Sequence, residues 1–214
     1  MKLFHSVLPA RIGSLAGSLA ILFVVACLAH PVHGDIRWDE GADGDLSNDP
    51  LATTPVGFGE GDNEIIGSVA DPNDIRDFFT FNIGAGQALT AIYLIEYTDI
   101  ATGGDGNTGF AHIDDGTQTV IPSAATSGDF LGGTHVDRTI FPNPTDNMLT
   151  VMAGAPQGGT GFVAPLFAGD YSFNIQQTGP PLTGYRLNFV VIPEPATGLF
   201  MAGLFGAVII RRRH

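Results

Sequence analysis

The sequence predicts an all-β protein: an antiparallel β-sandwich or jelly roll, with an N-terminal signal helix and a short C-terminal transmembrane helix. Three observations lead there. Residues 76–83, 171–176 and 185–190 alternate apolar and polar side chains with period two. Glycine (29 residues) and proline (14) are abundant enough to supply turns between many short strands. Between the apolar ends, no stretch holds a 3.6-residue period over ten residues.

In chain order, Lys2 and Arg11 precede an apolar run at 12–29, the pattern of a signal peptide over residues 1–34. Val32-His33-Gly34 favours cleavage before Asp35, while Val24-Val25-Ala26-Cys27 offers the alternative of lipidation at Cys27. A short strand at 35–38 then leads into an acidic loop at 39–49. Strands are expected at 63–69, at 76–83 with Phe79, Phe81 and Ile83 on one face, and at 88–97 with Leu89, Ala91, Tyr93, Ile95 and Tyr97 on one face. Gly84-Ala85-Gly86-Gln87 joins the last two as an antiparallel hairpin, and the second reads as a central strand. Residues 109–113 and 117–121 form a second hairpin around Asp114-Asp115-Gly116. Further strands are expected at 136–141, 148–153 and 161–165. Two half-buried strands close the domain, carrying Tyr171, Phe173 and Ile175, then Tyr185, Leu187 and Phe189. The exported domain spans residues 35–192.

That domain holds 21 of the 22 acidic residues and four arginines, a formal charge of 4 − 21 = −17. Such a charge repels nucleic acid and anionic lipid heads, and attracts divalent cations. Cys27 is the single cysteine, so a domain starting at Asp35 has neither a disulfide nor a thiol nucleophile. Asp43, Asp45, Asn48 and Asp49 present hard oxygen donors suited to Ca²⁺. The order of an EF-hand loop is absent. Asp71, Asn73 and Asp74 form a second, smaller cluster. Catalysis has little support: His112 and His135 lie outside any short metal motif, no G-x-S-x-G elbow is present, and His112 is expected to point outward from its strand. The domain is read as non-enzymatic. Trp38, Tyr93, Tyr97 and Tyr185 are better explained as packing residues than as sugar-stacking ones.

The last stretch comprises Pro193-Glu194-Pro195, a charge-free run at 196–210, and Arg211-Arg212-Arg213. Fifteen helical residues rise about 22 Å, short of a roughly 30 Å hydrocarbon core. The arginines hold the C-terminus in the cytoplasm. This three-part tail, residues 193–214, resembles the PEP-CTERM sorting signal of Gram-negative bacteria. The resemblance implies an exosortase-type processing enzyme as partner, a membrane-anchored precursor, delivery to the cell envelope or outside, and an association with exopolysaccharide. An ordinary tail anchor is the alternative.

Residues 74–97 are similar to secreted pre-peptidase C-terminal β-sandwich modules, through Asp77 before the aromatic strand 78–81, then Ala85-Gly86 and an apolar strand. Tyr171-Ser172-Phe173 after Gly169-Asp170 fits the same pattern. That similarity implies a non-catalytic module, sometimes calcium-dependent or carbohydrate-binding. The expected function is a structural or adhesive protein of the cell surface or matrix, with a calcium-assisted carbohydrate-binding module as the alternative.

Overall fold

The structure is a computed structural model that describes residues 34–69, 74–121, 128–154 and 157–194. The predicted signal segment with Cys27, the cluster residues Asp71 and Asn73, Pro195, the apolar run 196–210 and Arg211 to Arg213 lie outside the described residues. Among the described residues no helix is long and apolar enough to cross a membrane.

Two sheets face each other. One orders its strands β1 (Asp35–Asp39), β3 (Gly61–Val69), β9 (Thr183–Pro193) and β5 (Gln87–Asp99). The other runs β2 (Thr54–Pro55), β4 (Arg76–Ile83), β8 (Gly169–Gln176), β6 (Gly109–Asp115) and β7 (Gly132–Val136). The alternation predicted for 76–83, 171–176 and 185–190 puts Phe79, Phe81, Phe173, Ile175, Leu187 and Phe189 in one shared core. Phe189 is the hub. Its ring lies 5.7 Å from Phe79, 5.4 Å from Phe81 and 5.2 Å from Phe173, so one residue of the first sheet touches two strands of the second.

Several expectations are corrected. The sheets are mixed rather than purely antiparallel, because the edge strands β1 and β2 pair in parallel with β3 and β4. The turn at Gly84 to Gly86 does not close a hairpin: β4 and β5 belong to different sheets. Both strands carry an apolar face, and crossing between layers buries both against each other. Strand β5 lies at a sheet edge, not the centre. Register shifts between Leu89 and Ala91 and between Leu94 and Glu96 break its alternation. Leu89, Ile92, Leu94 and Tyr97 are therefore buried, while Tyr93 and Ile95 are only partly covered.

Residues 117–121 and 161–165 form no strand, and β6 pairs with β8 and β7 instead. The strand expected at 136–141 ends at Val136, where the Asp137 carboxylate accepts the backbone N–H groups of Thr139 and Ile140 and curls the chain into a turn. Residues 148–153 belong to a helix, α2 (Met148–Gly154). Asn147 caps it by accepting Leu149 N–H at 3.0 Å, and Met148, Leu149 and Met152 form its buried face.

His112 is fully buried, not outward in solvent. It does stand on the outer face of its strand, but Phe130 and Thr119 cover it, with its Nε2 2.7 Å from the Thr119 hydroxyl. Burial disfavours the imidazolium and keeps the ring neutral down to about pH 4.

Phe189→Ala is expected to destabilise the protein by about 3–5 kcal/mol, because the cavity would lie between both sheets. Denaturant midpoints of the two proteins measure this; a loss under about 1 kcal/mol would mean that Phe189 is not the hub.

Candidate metal centre

A four-residue helix, α1 (Glu40–Asp43), follows β1 directly. Asp39 caps it by accepting Gly41 N–H, and the Trp38 indole donates to Gly44 O at 2.9 Å. Gly44 ends the helix at φ 95°, a backbone state that favours glycine. This tight turn folds Glu40 back over the end of the first sheet. There its carboxylate accepts Ser68 N–H at 2.8 Å and Leu46 N–H at 3.2 Å.

Asp77 arrives from the other sheet. It shares the inward face of β4 with Phe79, so its carboxylate enters the interior at the mouth of the sandwich. Tyr185 of β9 donates its hydroxyl to Asp77 Oδ2 at 2.7 Å, across the gap between the layers. Gly67 of β3 makes room for this pair: a Cβ there would collide with the Tyr185 hydroxyl and sit 3.0 Å from the Glu40 carboxyl carbon.

Asp45 completes the group. One carboxylate oxygen each from Glu40, Asp45 and Asp77 lie within 4.8 Å of one another. Asp77 is fully buried, and its Oδ1 has no hydrogen-bond partner. A buried carboxylate oxygen left unpaired beside two further carboxylates is costly unless a proton or a cation occupies the space. Asp74 stands close enough to raise the proton affinity of both Glu40 and Asp77 through its charge.

Burial is the main cause that pushes the Glu40 carboxyl up to about 7, Asp74 up to about 6 and Asp77 well above the ordinary carboxylate range. Neighbouring carboxylates add to each shift, and the same burial raises the Tyr185 phenol. The group holds protons at neutral pH when no cation is bound. A hard divalent cation would compete with those protons for the same oxygens.

Of the four residues expected to bind calcium, Asp45 lies in this group. Asn48 stands behind it and donates to Asp74 Oδ1 at 3.2 Å. Asp43 instead accepts Asp39 N–H at 2.9 Å, and Asp49 accepts Leu51 N–H at 2.9 Å. Sequence reasoning named neither Glu40 nor Asp77 as a donor. The usable signal for Asp77 was a lone acid at the inward position of an otherwise aromatic strand.

No protein-family model and no curated protein matches this chain. Among solved structures it is similar to the pre-peptidase C-terminal domain of a collagenase from Bacillus anthracis, at 12% identity and a TM-score of 0.32, covering 68% of this chain and 99% of that one.

The shifted carboxyls set a pH dependence. Unfolded Glu40 releases its proton near pH 4.5, whereas the folded protein keeps it to about 7. The folded state thus binds more protons in that window, and without a cation its stability declines as pH rises through 7. His112 acts in the opposite sense, but only weakly above pH 6.5, where its unfolded imidazole is at most half protonated and its folded one is neutral. In chelator, the melting temperature is expected to climb by a few degrees as pH is lowered from 8 to 6.5, each kcal/mol moving it by roughly 2–4 °C. Glu40→Gln should flatten the climb, and an unchanged slope would show that Glu40 is not the titrating group.

Proposed function

We propose that this chain is an exported, non-catalytic β-sandwich module of the cell envelope, structural or adhesive in role, whose N-terminal segment is fastened to the sandwich by a calcium ion. The carrying observation is the fully buried Asp77 carboxylate, one oxygen of which has no hydrogen-bond partner, standing within 4.8 Å of the Glu40 and Asp45 carboxylates. These donors come from the loop around α1 and from β4, so one ion would join the segment following the signal peptide to the opposite sheet. Three carboxylates supply the negative charge such a cation needs, and water or carbonyl oxygens fill the rest of its six to eight positions. In a domain with no cysteine, a cation clamp takes the part a disulfide plays in many exported modules.

The non-catalytic part of this reading rests on the sequence, which carries no G-x-S-x-G elbow and no short histidine metal motif between residues 35 and 192. The sorting reading is supported by the tail sequence and by where the domain stops. Strand β9 runs to Pro193, and Glu194 N–H donates to Gly86 O at 2.7 Å. The Pro-Glu-Pro motif therefore begins on the folded sheet itself, three residues before the apolar run in sequence.

Calcium at about 100 times its dissociation constant is expected to stabilise the protein by roughly 2.7 kcal/mol, with no such gain from sodium at equal ionic strength. The gain should be larger at pH 8 than at pH 5, because protons compete for the same oxygens. Asp45→Ala, at an exposed position, should blunt it. Identical melts in calcium and in chelator would remove the clamp.

The sorting role has a separate test. In a host carrying the processing enzyme, mass spectrometry of the envelope protein should find a C-terminus near Glu194, and Pro193→Ala with Pro195→Ala should leave unprocessed precursor. A mature surface protein that still ends at His214 would make the tail a plain anchor.

A further inference from the structure

The outer face of the second sheet carries an unexplained row of side chains. The register aligns Arg76 of β4 with Gln176 of β8, Gln176 with Phe110 of β6, and Phe110 with His135 of β7. Inward neighbours Asp77, Ile175, Ala111 and Val136 are buried, so these four face outward together. The next row, which holds Asn174 and His112, is roofed by other parts of the chain, and both residues are fully buried. The Arg76 row stays open: His135 is exposed, and Arg76, Gln176 and Phe110 are partly so.

The row is shaped for a small polar ring. Thr108, Gly109, Phe110, His135, Gln176, Gln177 and Thr178 line a cavity of about 170 Å³, smaller than a drug-sized pocket and sufficient for one ring. The Phe110 and His135 rings meet edge to face at 5.6 Å, with an interplanar angle of 77°. Gly133 leaves space for the Phe110 ring, since a Cβ there would lie 2.5 Å from its tip. Hydroxyl and amide groups of Thr108, Thr178 and Gln176 surround these rings.

Arg76 supplies the charge. Its Nε donates to the Gln176 amide oxygen Oε1 at 3.2 Å, which points the guanidinium along the row. Among the described residues it has no carboxylate partner, although the domain carries 21 acidic residues. Arg37 and Arg186 are each paired with a carboxylate, and Arg138 donates to the carbonyls of Leu94 and Pro142. A partly desolvated guanidinium with its terminal nitrogens unused is a fork for a carboxylate brought by a ligand.

We infer that this row is a binding site for a carboxylate-bearing sugar, with the acid on Arg76, the ring against Phe110 and His135, and the hydroxyls on Gln176 and the threonines. A sugar ring joins apolar C–H faces to hydroxyls, matching rings beside amides. The domain charge of −17 disfavours a dense polyanion, so the partner is a uronic acid at a chain end or in a sparsely charged glycan.

The test is calorimetric titration of the full chain in detergent with the methyl glycoside of glucuronic acid and with its methyl ester, in calcium and in chelator. The free acid is expected to bind tighter than the ester by about tenfold or more, the size of one charge-assisted contact. Arg76→Gln should abolish that preference, while His135→Ala should weaken acid and ester alike. If Arg76→Gln does not fold, Arg76→Lys, which keeps the charge and loses the fork, should still lower the preference several-fold. Equal binding of acid and ester, no binding of either, or a preference that survives loss of Arg76 overturns the site. A preference seen in calcium alone would put the carboxylate on the cation rather than on Arg76, and also overturns it.

Discussion

The hydrogen bond from Tyr185 to Asp77 is the constraint on which the rest of this structure depends. It joins the two sheets at their open end, where a charge-bearing group stands on the inward side of β4 in line with Phe79. A carboxylate at that depth is tolerated only with partners. The Tyr185 hydroxyl satisfies one oxygen, the other has no hydrogen-bond partner, and the carboxylate stands within 4.8 Å of those of Glu40 and Asp45. The N-terminal segment must then fold over this end, and Gly44 and Gly67 provide the turn and the clearance it needs. The acid group is a costly feature in an apolar core, while β1 is held by its ladder with β3 and Glu40 by the N–H groups of Ser68 and Leu46.

The connections that cross between the layers tie this end to the whole fold. Strand β4 hands over to β5, and β8 to β9, each time changing sheet. At these two connections consecutive strands therefore face one another across the core, whereas β6 and β7 pair side by side. That arrangement sets Phe79 and Phe173 of one layer against Phe189 of the other. It also places Tyr185, near the start of β9, opposite Asp77, near the start of β4. The partners of the interlayer bond are 108 residues apart. A local turn pattern carries no record of such a partnership.

Loops divide the outer face of the second sheet into two parts with different chemistry. Under the cover of Phe130 and Thr119, His112 is dry and neutral. One row further along, the same strands hold Arg76, Gln176, Phe110 and His135 open to solvent. The two rows are built from adjacent residues of the same sheet. What separates a packed histidine from a ligand-facing one is the roof, not the strand.

Sequence alone determined the class and most strand positions. Period-two alternation is a local property of the chain, and it located β4, β8 and β9 and their inward residues because one face of each had to be buried. The acidic charge and the terminal apolar runs were equally plain, since they are sums over residues. Tertiary structure decided which strands pair, because turn signals at Gly84 to Gly86 suit a hairpin and a sheet-crossing arch equally well. It decided that residues 148–154 are helical, where three apolar contacts under an asparagine cap outweigh a short apolar run that reads as strand. It also decided which carboxylates meet. Asp45 stood out in an acidic loop, but Glu40 and Asp77 joined it as candidate donors only when two layers brought distant carboxylates within 4.8 Å. Spacing along a chain can mark one ligand; the distance between sheets selects the others.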